Sequence, residues 1–431
     1  MGLLPLDRAT HPPVVQKQIK KIVKPSDLFL VSHPSGNTFV RALLEELERE
    51  GLLGSFHTTI GAGHGANPFL RSLVRQRTYE VEDRLISRKW FPELARLLPL
   101  GPSSQENKRR SADQSYLTLD HKVAERLHLL PCGIVHAYED GAASSFVRAK
   151  ELGIHCSYEL PIAHWATSRR LLAEEAERLP QWEPTLESTR EPEEKLARKE
   201  EELTLADCIT CPSDFVLQSI PSEIRKKTPC QIAPFGSPKT TPDEAMEGNA
   251  RKEGKLKLLF VGSMSQRKGL ADLFEAMKLI NSPHVSLSIL GRPSQPMSFY
   301  REIFPHFEYL TPRSNKKVQH VMNKHDVLVL PSIVEGRALV QQEALASGLP
   351  LIITPNTGGE DLIENEKTGF VVPIRKPEKI AEKIEWFAKA QKTVSDMSRY
   401  CRQKAKEYAW STYANSIINF CLRTESESGD N

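Results

Sequence analysis

Two glutamates, Glu335 and Glu343, stand eight positions apart in a stretch that could bring them to one ligand. The apolar run Val327–Leu330 predicts a buried strand, residues 338–346 predict a helix, and residues 351–354 predict a second buried strand. This order is typical of a parallel sheet, and such sheets bind ligands at the carboxyl ends of their strands. Glu335 lies in the loop at that place, and Glu343 should point back to it because helical side chains tilt toward the N-terminus. The alternative is a capping glutamate and an unrelated surface glutamate.

A pair of cations, Arg267 and Lys268, stands at a second junction between a strand and a helix. The apolar run Leu256–Val261 predicts a buried strand, and Leu270–Ile280 predicts the helix that follows the pair. Cations at a helix N-terminus oppose the helix dipole unless an anion is bound there. The pair therefore predicts an anion site, and an exposed basic pair at a helix start is the alternative.

A third junction of this kind contains Gly36 and Asn37. Residues 27–32 predict the first strand of the chain, and residues 38–50 predict an amphipathic helix. Free backbone N–H groups and the positive end of the helix dipole favour an anion in the turn between them. An ordinary turn between a strand and a helix explains the same residues equally well.

The pattern around the two glutamates resembles that of the retaining family 4 glycosyltransferases. Pro-Ser precedes Glu335, seven residues separate it from Glu343, and Ala-x-Ala-x-Gly-x-Pro follows. The resemblance implies an α/β fold of the glycosyltransferase-B type, in which two Rossmann-like domains with parallel sheets face each other. It also implies a C-terminal helix that returns to the first domain. In this family the first glutamate contacts the transferred sugar, and the second contacts the ribose of a nucleotide diphosphate sugar.

Near the implied donor site, one position matches the family pattern and two positions differ from it. Lys268 matches a family lysine that holds the donor diphosphate. Ser263 stands where the family usually has an arginine, and Arg267 could supply the missing charge. Arg337 stands where a small or apolar residue follows the first glutamate in the family, which places a bulky cation near the implied sugar position.

The resemblance also implies roles for two glycine-containing turns and one histidine. Gly358 and Gly359 match a loop whose backbone approaches the sugar, and Gly36 and Asn37 match a loop near the donor diphosphate. The family commonly has His-x-His at the end of this predicted strand, with the second histidine beside the sugar; here His136 remains and Tyr138 occupies the second place. His136 could hydrogen-bond sugar hydroxyls or the leaving phosphate. A buried structural histidine is the alternative.

The length of 431 residues predicts two or three domains. We expect an N-terminal arm at 1–25, an acceptor-binding Rossmann-like domain at 26–236 and a linker at 237–255. A donor-binding domain is expected at 256–395, a crossing helix at 396–423 and a tail at 424–431. The charged residues 171–204 predict a solvated helical face.

Composition excludes several classes of protein. A net charge of +3 argues against a dedicated nucleic-acid binder, and no apolar run reaches the length of a membrane span. The N-terminal residues lack the pattern of a secretion signal, and seven scattered cysteines fit a reducing cytosol. We expect a cytoplasmic protein. Basic clusters at 17–24, 108–110 and 225–227 could touch anionic lipid at the inner face of the membrane, and a solvated surface is the alternative for each of them.

The sequence therefore predicts a retaining glycosyltransferase that uses a nucleotide diphosphate sugar and a sugar, lipid-linked sugar or small molecule as acceptor. No cofactor and no metal are expected, since the chain contains no Asp-x-Asp pair to hold one. Two alternatives remain open: a catalytically silent scaffold or binding protein, which the differences at Ser263 and Arg337 would fit, and a nucleotide-sugar epimerase of the same architecture. The oligomeric state is not predicted.

Overall fold

The computed structural model of the chain describes residues 24–88, 105–186, 191–240, 254–313 and 315–429. The predicted arm lies outside the described residues up to residue 23. Most of the predicted linker, residues 241–253, also lies outside them. The predicted tail is described as far as residue 429.

The first domain is built on a seven-stranded sheet. Its strands and a short additional pair are, in chain order, β1 (Phe29–Ser32), β2 (Leu53–Thr58), β3 (Ala62–His64), β4 (Thr78–Glu82), β5 (Ile86–Arg88), β6 (Ile134–Tyr138), β7 (His155–Glu159), β8 (Cys208–Cys211) and β9 (Cys230–Ile232). The sheet has the order β5-β2-β1-β6-β7-β8-β9, all parallel, and β3 pairs with β4. Every residue of β1, β6, β7 and β8 is buried, because helices cover both faces of a parallel sheet.

The helices of the first domain follow its strands. They are α1 (Thr38–Arg49), α2 (Pro68–Leu73), α3 (Gln105–Arg126), α4 (Ala143–Glu151), α5 (Trp165–Arg178), α6 (Glu193–Leu205), α7 (Asp214–Ser219) and α8 (Ser222–Lys227). Helix α1 shows why the sequence folds locally as it does: Val40, Leu43, Leu44 and Leu47 recur at helical spacing, and all four are buried against the sheet.

The second domain has six parallel strands in the order β12-β11-β10-β13-β14-β15. These are β10 (Leu256–Val261), β11 (Val285–Leu290), β12 (Glu308–Leu310), β13 (Val327–Leu330), β14 (Leu351–Ile353) and β15 (Gly369–Val371), with helices α9 (Leu270–Ile280), α10 (Met297–Ile303), α11 (Asn315–Met322), α12 (Leu339–Ala346) and α13 (Pro377–Lys389). Strands β10 and β13 are central neighbours. The loops that follow them, which carry the predicted cations and the predicted first glutamate, therefore leave the same edge of the sheet.

Two helices end the described chain, α14 (Gln391–Lys406) and α15 (Trp410–Gly429). Helix α15 returns to the first domain, where Tyr413 and Ile417 share a buried cluster with Phe29 and Leu43. The predicted α/β fold with two Rossmann-like domains and a returning helix is confirmed.

The prediction of one helix over residues 396–423 is wrong, because residues 407–409 interrupt the helix and separate α14 from α15. The break is held by contacts to other elements: the Ser237 N–H donates to the Tyr408 carbonyl at 2.8 Å, and the Tyr408 hydroxyl donates to Asp361 Oδ2 at 2.7 Å. The helix α15 also runs to Gly429, through most of the predicted tail.

A segment of the first domain, residues 165–186, packs into the second domain, and we call it the bridge segment. Trp182, in a 3-10 helix that follows α5, is only 1% exposed and belongs to the core of the second domain. Its ring centroid lies 6.0 Å from that of Phe274 and 5.1 Å from that of Phe299. The two domains therefore share an apolar core at this point.

Charged groups extend the same contact. Glu175 is fully buried and pairs with Arg375 of the second domain and with Arg178, which also reaches Asp272 at 2.9 Å. Gln266 Nε2 donates to Glu175 Oε2 at 2.8 Å. The prediction of a solvated face over residues 171–204 is thus wrong for this stretch, since its carboxylates bind partners in the other domain.

Replacement of Trp182 by alanine should destabilise the whole protein by about 3–5 kcal/mol, as for a buried large aromatic side chain. Chemical denaturation followed by circular dichroism measures the loss. Phe69→Ala is the matched control because Phe69 is 77% exposed, and it should change stability little. Equal stability of the Trp182→Ala variant and the wild type would show that the bridge segment does not join the domains.

Candidate active site

The loops after β10 and β13 pack directly on each other. The Ile333 N–H donates to the Arg267 carbonyl at 2.9 Å. Gly269 adopts a left-handed conformation, with φ of +74°, and a Cβ there would lie 1.9 Å from the Pro331 carbonyl oxygen. Only glycine allows this approach. The sequence thus fixes the two loops in one arrangement, with both sets of predicted side chains at their ends.

Three predicted residues form one charged group, which we call the charged triad: Arg267, Lys268 and Glu335. Both cations contact Glu335 Oε1, and Arg267 Nη1 also donates to the Val334 carbonyl at 3.0 Å. Glu335 is 8% exposed. The structure thus brings the two predicted cations onto the predicted first glutamate, a contact that the sequence did not predict.

The electrostatics of the charged triad keep Glu335 ionised. Burial acts to raise the pKa of Glu335, but the charges of Arg267 and Lys268 outweigh it and hold that pKa below its usual value. Burial lowers the pKa of Lys268, and Glu335 opposes this effect. With one carboxylate and two cations, the triad carries an excess of one positive charge, which suits it to an anionic ligand.

Glu343 has different surroundings from Glu335. It lines a cavity of about 230 Å³ together with Thr38 at the start of α1, Leu339, and Trp410 of the returning helix. Burial raises the pKa of Glu343. The predicted second glutamate therefore faces a space between the two domains, beside the turn that precedes α1.

The turn before α1 differs from its prediction in one respect. The Gly36 N–H, expected to be free for an anion, donates to the Tyr79 hydroxyl at 2.9 Å. A Cβ at Gly36 would lie 2.1 Å from Tyr79 Cε1, so the glycine is needed for this packing. Asn37 is exposed at the N-cap of α1, and its side chain makes no capping hydrogen bond. Asn37 remains available to a ligand, whereas the Gly36 N–H is engaged.

Gly358 and Gly359 bring backbone close to other protein groups. A Cβ at Gly358 would lie 1.9 Å from the Gly336 carbonyl oxygen, and one at Gly359 would lie 2.1 Å from Gln341 Oε1. Gly358 also has a left-handed φ of +73°. Gly358 thus packs against the loop of Glu335 and Gly359 against α12, and their predicted contact with a sugar stays a prediction.

Arg337 is turned into the protein. Its guanidinium binds Asp361 through two hydrogen bonds of 2.7 and 2.9 Å, donates to the Gly358 carbonyl and lies 5.1 Å from the centre of the Tyr408 ring. The Arg337 side chain is 1% exposed. This cation therefore braces the loop of Glu335 against the break between α14 and α15.

The prediction that His136 takes part in catalysis is not supported. Its side chain is fully buried in the first sheet, with Nδ1 2.9 Å from Ser157 Oγ and Nε2 3.3 Å from Glu159 Oε2. Glu159 in turn accepts from the hydroxyl of Tyr413 on α15. His136 therefore belongs to a polar network between the sheet and the returning helix, which is the structural alternative.

Two contacts across the domains were missed from the sequence. The Ser213 hydroxyl donates to the Gly336 carbonyl at 2.6 Å, and a Cβ at Gly336 would lie 1.7 Å from the Pro161 carbonyl oxygen. Pro161 and Ser213 both follow strands of the first sheet. The sequence signals the ends of those strands, but no local pattern indicates that they meet the loop of Glu335.

In the part of the chain that the structure describes, no helix is long and apolar enough to cross a bilayer. Within the same part of the chain, no group of three or more His, Cys, Asp or Glu side chains is placed to hold a metal ion.

Residues 242–407 match the model of a protein family described as "Glycosyl transferases group 1". This part of the chain is a group 1 glycosyltransferase domain. The match spans the charged triad, Glu343 and the loop of Gly358. The predicted family resemblance and the predicted enzyme class, a glycosyltransferase, are confirmed.

The chain is also similar to individual proteins. Spore coat protein SA of Bacillus subtilis is 24% identical over 257 residues, which are 52% of this chain and 68% of that protein. In other curated relatives the matched part spans 43% to 51% of the relative.

Solved structures confirm the fold. The sucrose-phosphate synthase of Thermosynechococcus elongatus superposes with a TM-score of 0.64 at 15% identity, over 92% of this chain and 98% of that one. Anabaena HepE in complex with UDP-glucose gives a TM-score of 0.56 at 14% identity, over 91% and 98% of the two chains.

Replacement of Arg337 by lysine should lower the stability of the protein by about 1 kcal/mol, because it removes the paired hydrogen bonds to a half-exposed Asp361. Urea unfolding measures the loss, and Arg313→Lys on the surface is the control. Unchanged stability of the Arg337→Lys variant would contradict the bracing role.

Proposed function

We propose that this glycosyltransferase transfers a sugar from a nucleotide diphosphate sugar with retention at the anomeric carbon. The observation that carries the proposal is the charged triad, in which two cations with one carboxylate meet at the carboxyl ends of β10 and β13. Ligands of parallel sheets bind at that edge. The scaffold alternative gives no reason to hold an excess of partly buried positive charge there.

The charge of the triad suits a diphosphate leaving group. As the bond between the anomeric carbon and the diphosphate oxygen breaks, its electron pair leaves with the diphosphate, which gains negative charge. Fixed cations stabilise that charge without reorganisation. Lys268 and Arg267 would supply this stabilising positive charge, and the dipole at the N-terminal end of α1 could add to it.

Glu335 is suited to orient the sugar. Its carboxylate is ionised and held by two cations, which makes it a hydrogen-bond acceptor for sugar hydroxyls and a poor nucleophile. The acceptor hydroxyl oxygen bonds to the anomeric carbon on the face that the diphosphate leaves, and its proton passes to the departing phosphate oxygen. This step retains the configuration and needs no covalent sugar on the protein.

Glu343 is suited to hold the nucleotide. The cavity that it shares with Thr38 is large enough for a ribose, and a carboxylate can accept from two neighbouring hydroxyls. The Anabaena HepE structure contains UDP-glucose on a related fold, which supports a nucleotide sugar as donor. The nucleotide, the sugar and the linkage remain to be identified.

The acceptor would be a sugar, a lipid-linked sugar or a small molecule bound by the first domain. One relative is named as a galactosyltransferase that acts on a diphosphoundecaprenol-linked sugar, which supports a sugar acceptor. The cytoplasmic location and a peripheral contact with the membrane stay predictions.

The most direct test of the class of function is a thermal-shift panel of nucleotides and nucleotide sugars, followed by product analysis. A ligand at one hundred times its dissociation constant stabilises the folded state by about 2.7 kcal/mol. Stabilisation by a nucleoside diphosphate and transfer to an acceptor support the proposal. Stabilisation by none of them would favour the scaffold, and an epimerised sugar without transfer would favour the epimerase.

Replacement of Lys268 by alanine should lower turnover by about 10²–10³, as for the loss of one preorganised charge. Lys278→Ala is the matched control, because Lys278 is exposed on α9 and pairs with the similarly exposed Glu275 at 3.3 Å. Steady-state kinetics with saturating donor measure both variants. Wild-type turnover by Lys268→Ala would remove this lysine from the mechanism.

Alanine variants of the two glutamates should change different kinetic constants. Glu343→Ala should mainly raise the KM for the donor, because ribose contacts are similar in the ground and transition states. Glu335→Ala should mainly lower kcat, because the sugar is then poorly oriented. Initial rates over a range of donor concentrations measure both, and the reverse pattern would overturn the assigned roles.

Catalysis should not require a divalent metal, since the cations of the triad are fixed by the fold. Turnover measured after exhaustive chelation, with and without added Mg²⁺ or Mn²⁺, tests this. Equal rates are expected. Activity that disappears with the chelator and returns with metal would mean that other groups carry the charge of the leaving group.

A further inference from the structure

A second cavity, of about 190 Å³, lies on the first-domain side of the loop that carries Glu335. It is lined by groups at the carboxyl ends of β6 and β7, by the start of α5, by α6, and by Val334 of the second domain. We propose that this cavity holds the acceptor as a single neutral, hydroxyl-rich ring. This rests on the proposed function, which requires an acceptor beside the charged triad.

The position of the cavity fits an acceptor. Val334 lines it, and the next residue is Glu335, whose partner Arg267 donates to the Val334 carbonyl. Pro161 and Ile162 pack against Gly336, the residue after Glu335. A ring in the cavity would therefore lie beside the loop whose Glu335 we assign to the transferred sugar.

The size of the cavity limits the part of the acceptor that it can hold. Pockets for drug-sized ligands measure about 300–1,000 Å³, and this cavity is smaller. One pyranose or cyclitol ring is the largest polar unit that suits it. A longer glycan or a lipid chain would have to extend outside.

The charges of the lining are balanced by each other. Lys199 lies 3.4 Å from Glu139, 3.8 Å from Asp140 and 3.2 Å from Glu191. Arg169 also lines the cavity, and its guanidinium pairs with Glu193 at 2.8 Å. A phosphorylated ring would face the three carboxylates of the lining, and an amino sugar would face its two cations, so an uncharged ring is favoured.

Two side chains are suited to a ring with many hydroxyls. Glu139 lines the cavity, and burial raises its pKa to about 7, so that its carboxyl group can both accept and donate a hydrogen bond near neutral pH. The indole of Trp165 lines the same cavity, and its Nε1–H is bound to Glu200 at 2.6 Å. The indole is thus fixed as an apolar wall for one face of a ring.

Saturation-transfer NMR on the full chain tests the proposal with neutral probes: D-glucose, D-galactose, D-mannose, N-acetylglucosamine and myo-inositol. D-glucose 6-phosphate and D-glucosamine are the charged probes. At least one neutral probe should bind, and its charged counterpart should bind about tenfold more weakly or worse. The proposal is overturned if no neutral probe binds, or if a phosphorylated probe binds as tightly as the neutral one.

Variants place the binding in this cavity. Glu139→Gln should weaken the neutral probe about tenfold, as for the loss of a charged hydrogen-bond partner. Trp165→Ala should also weaken binding of the neutral probe. This second variant tests the proposal if the Glu139→Gln variant does not fold. Glu275→Gln, whose carboxylate is exposed on α9 of the second domain and pairs with Lys278 at 3.3 Å, should bind as the wild type does. Unchanged binding by both cavity variants would place the ring elsewhere.

A separate thermal shift with UDP distinguishes this proposal from the proposed function. UDP binding without any neutral sugar binding would overturn the acceptor cavity alone. Neutral sugar binding without any nucleotide binding would overturn the donor chemistry, and the cavity would remain as a sugar site.

Discussion

The burial of a carboxylate between two cations is the constraint on which the rest of the site depends. Removing three charges from water is costly unless they neutralise one another at close range. Glu335 is shared by Arg267 and Lys268, so the loops after two different strands must keep a fixed position relative to each other. Gly269 makes this position possible, because its backbone can pack directly against Pro331. The remaining positive charge is then available to a ligand at the edge of the sheet.

A second constraint is the close approach of the two domains around the same loop. Gly336 leaves no room for a side chain against Pro161, and Ser213 binds the Gly336 carbonyl at 2.6 Å. The bridge segment adds Trp182, which is buried in the core of the second domain. Because these contacts fix the first domain beside Glu335, they define where a donor and an acceptor could meet.

The features that could be predicted from the sequence are those that short stretches of residues determine. The apolar runs of β10 and β13 predicted the strands, and the residues that follow them predicted Arg267, Lys268 and Glu335 as site residues. The ion pairs that join these residues across the two loops were not predicted. The burial of His136 and the engaged Gly36 N–H depend on partners far along the chain, so no local pattern indicates them. The break between α14 and α15 contains no proline or glycine and is held by Asp361 and Ser237. The charges of the bridge segment look solvated in the sequence because their partners belong to the other domain.

A crystal structure of the chain with a nucleotide diphosphate sugar tests the central claim most directly. The account predicts that the diphosphate contacts Lys268 and Arg267, that the sugar hydroxyls contact Glu335, and that the ribose lies in the cavity of Glu343 and Thr38. It further predicts that the Arg337 guanidinium stays on Asp361. A nucleotide bound away from the charged triad, with Glu335 still shared between its two cations, would contradict the account.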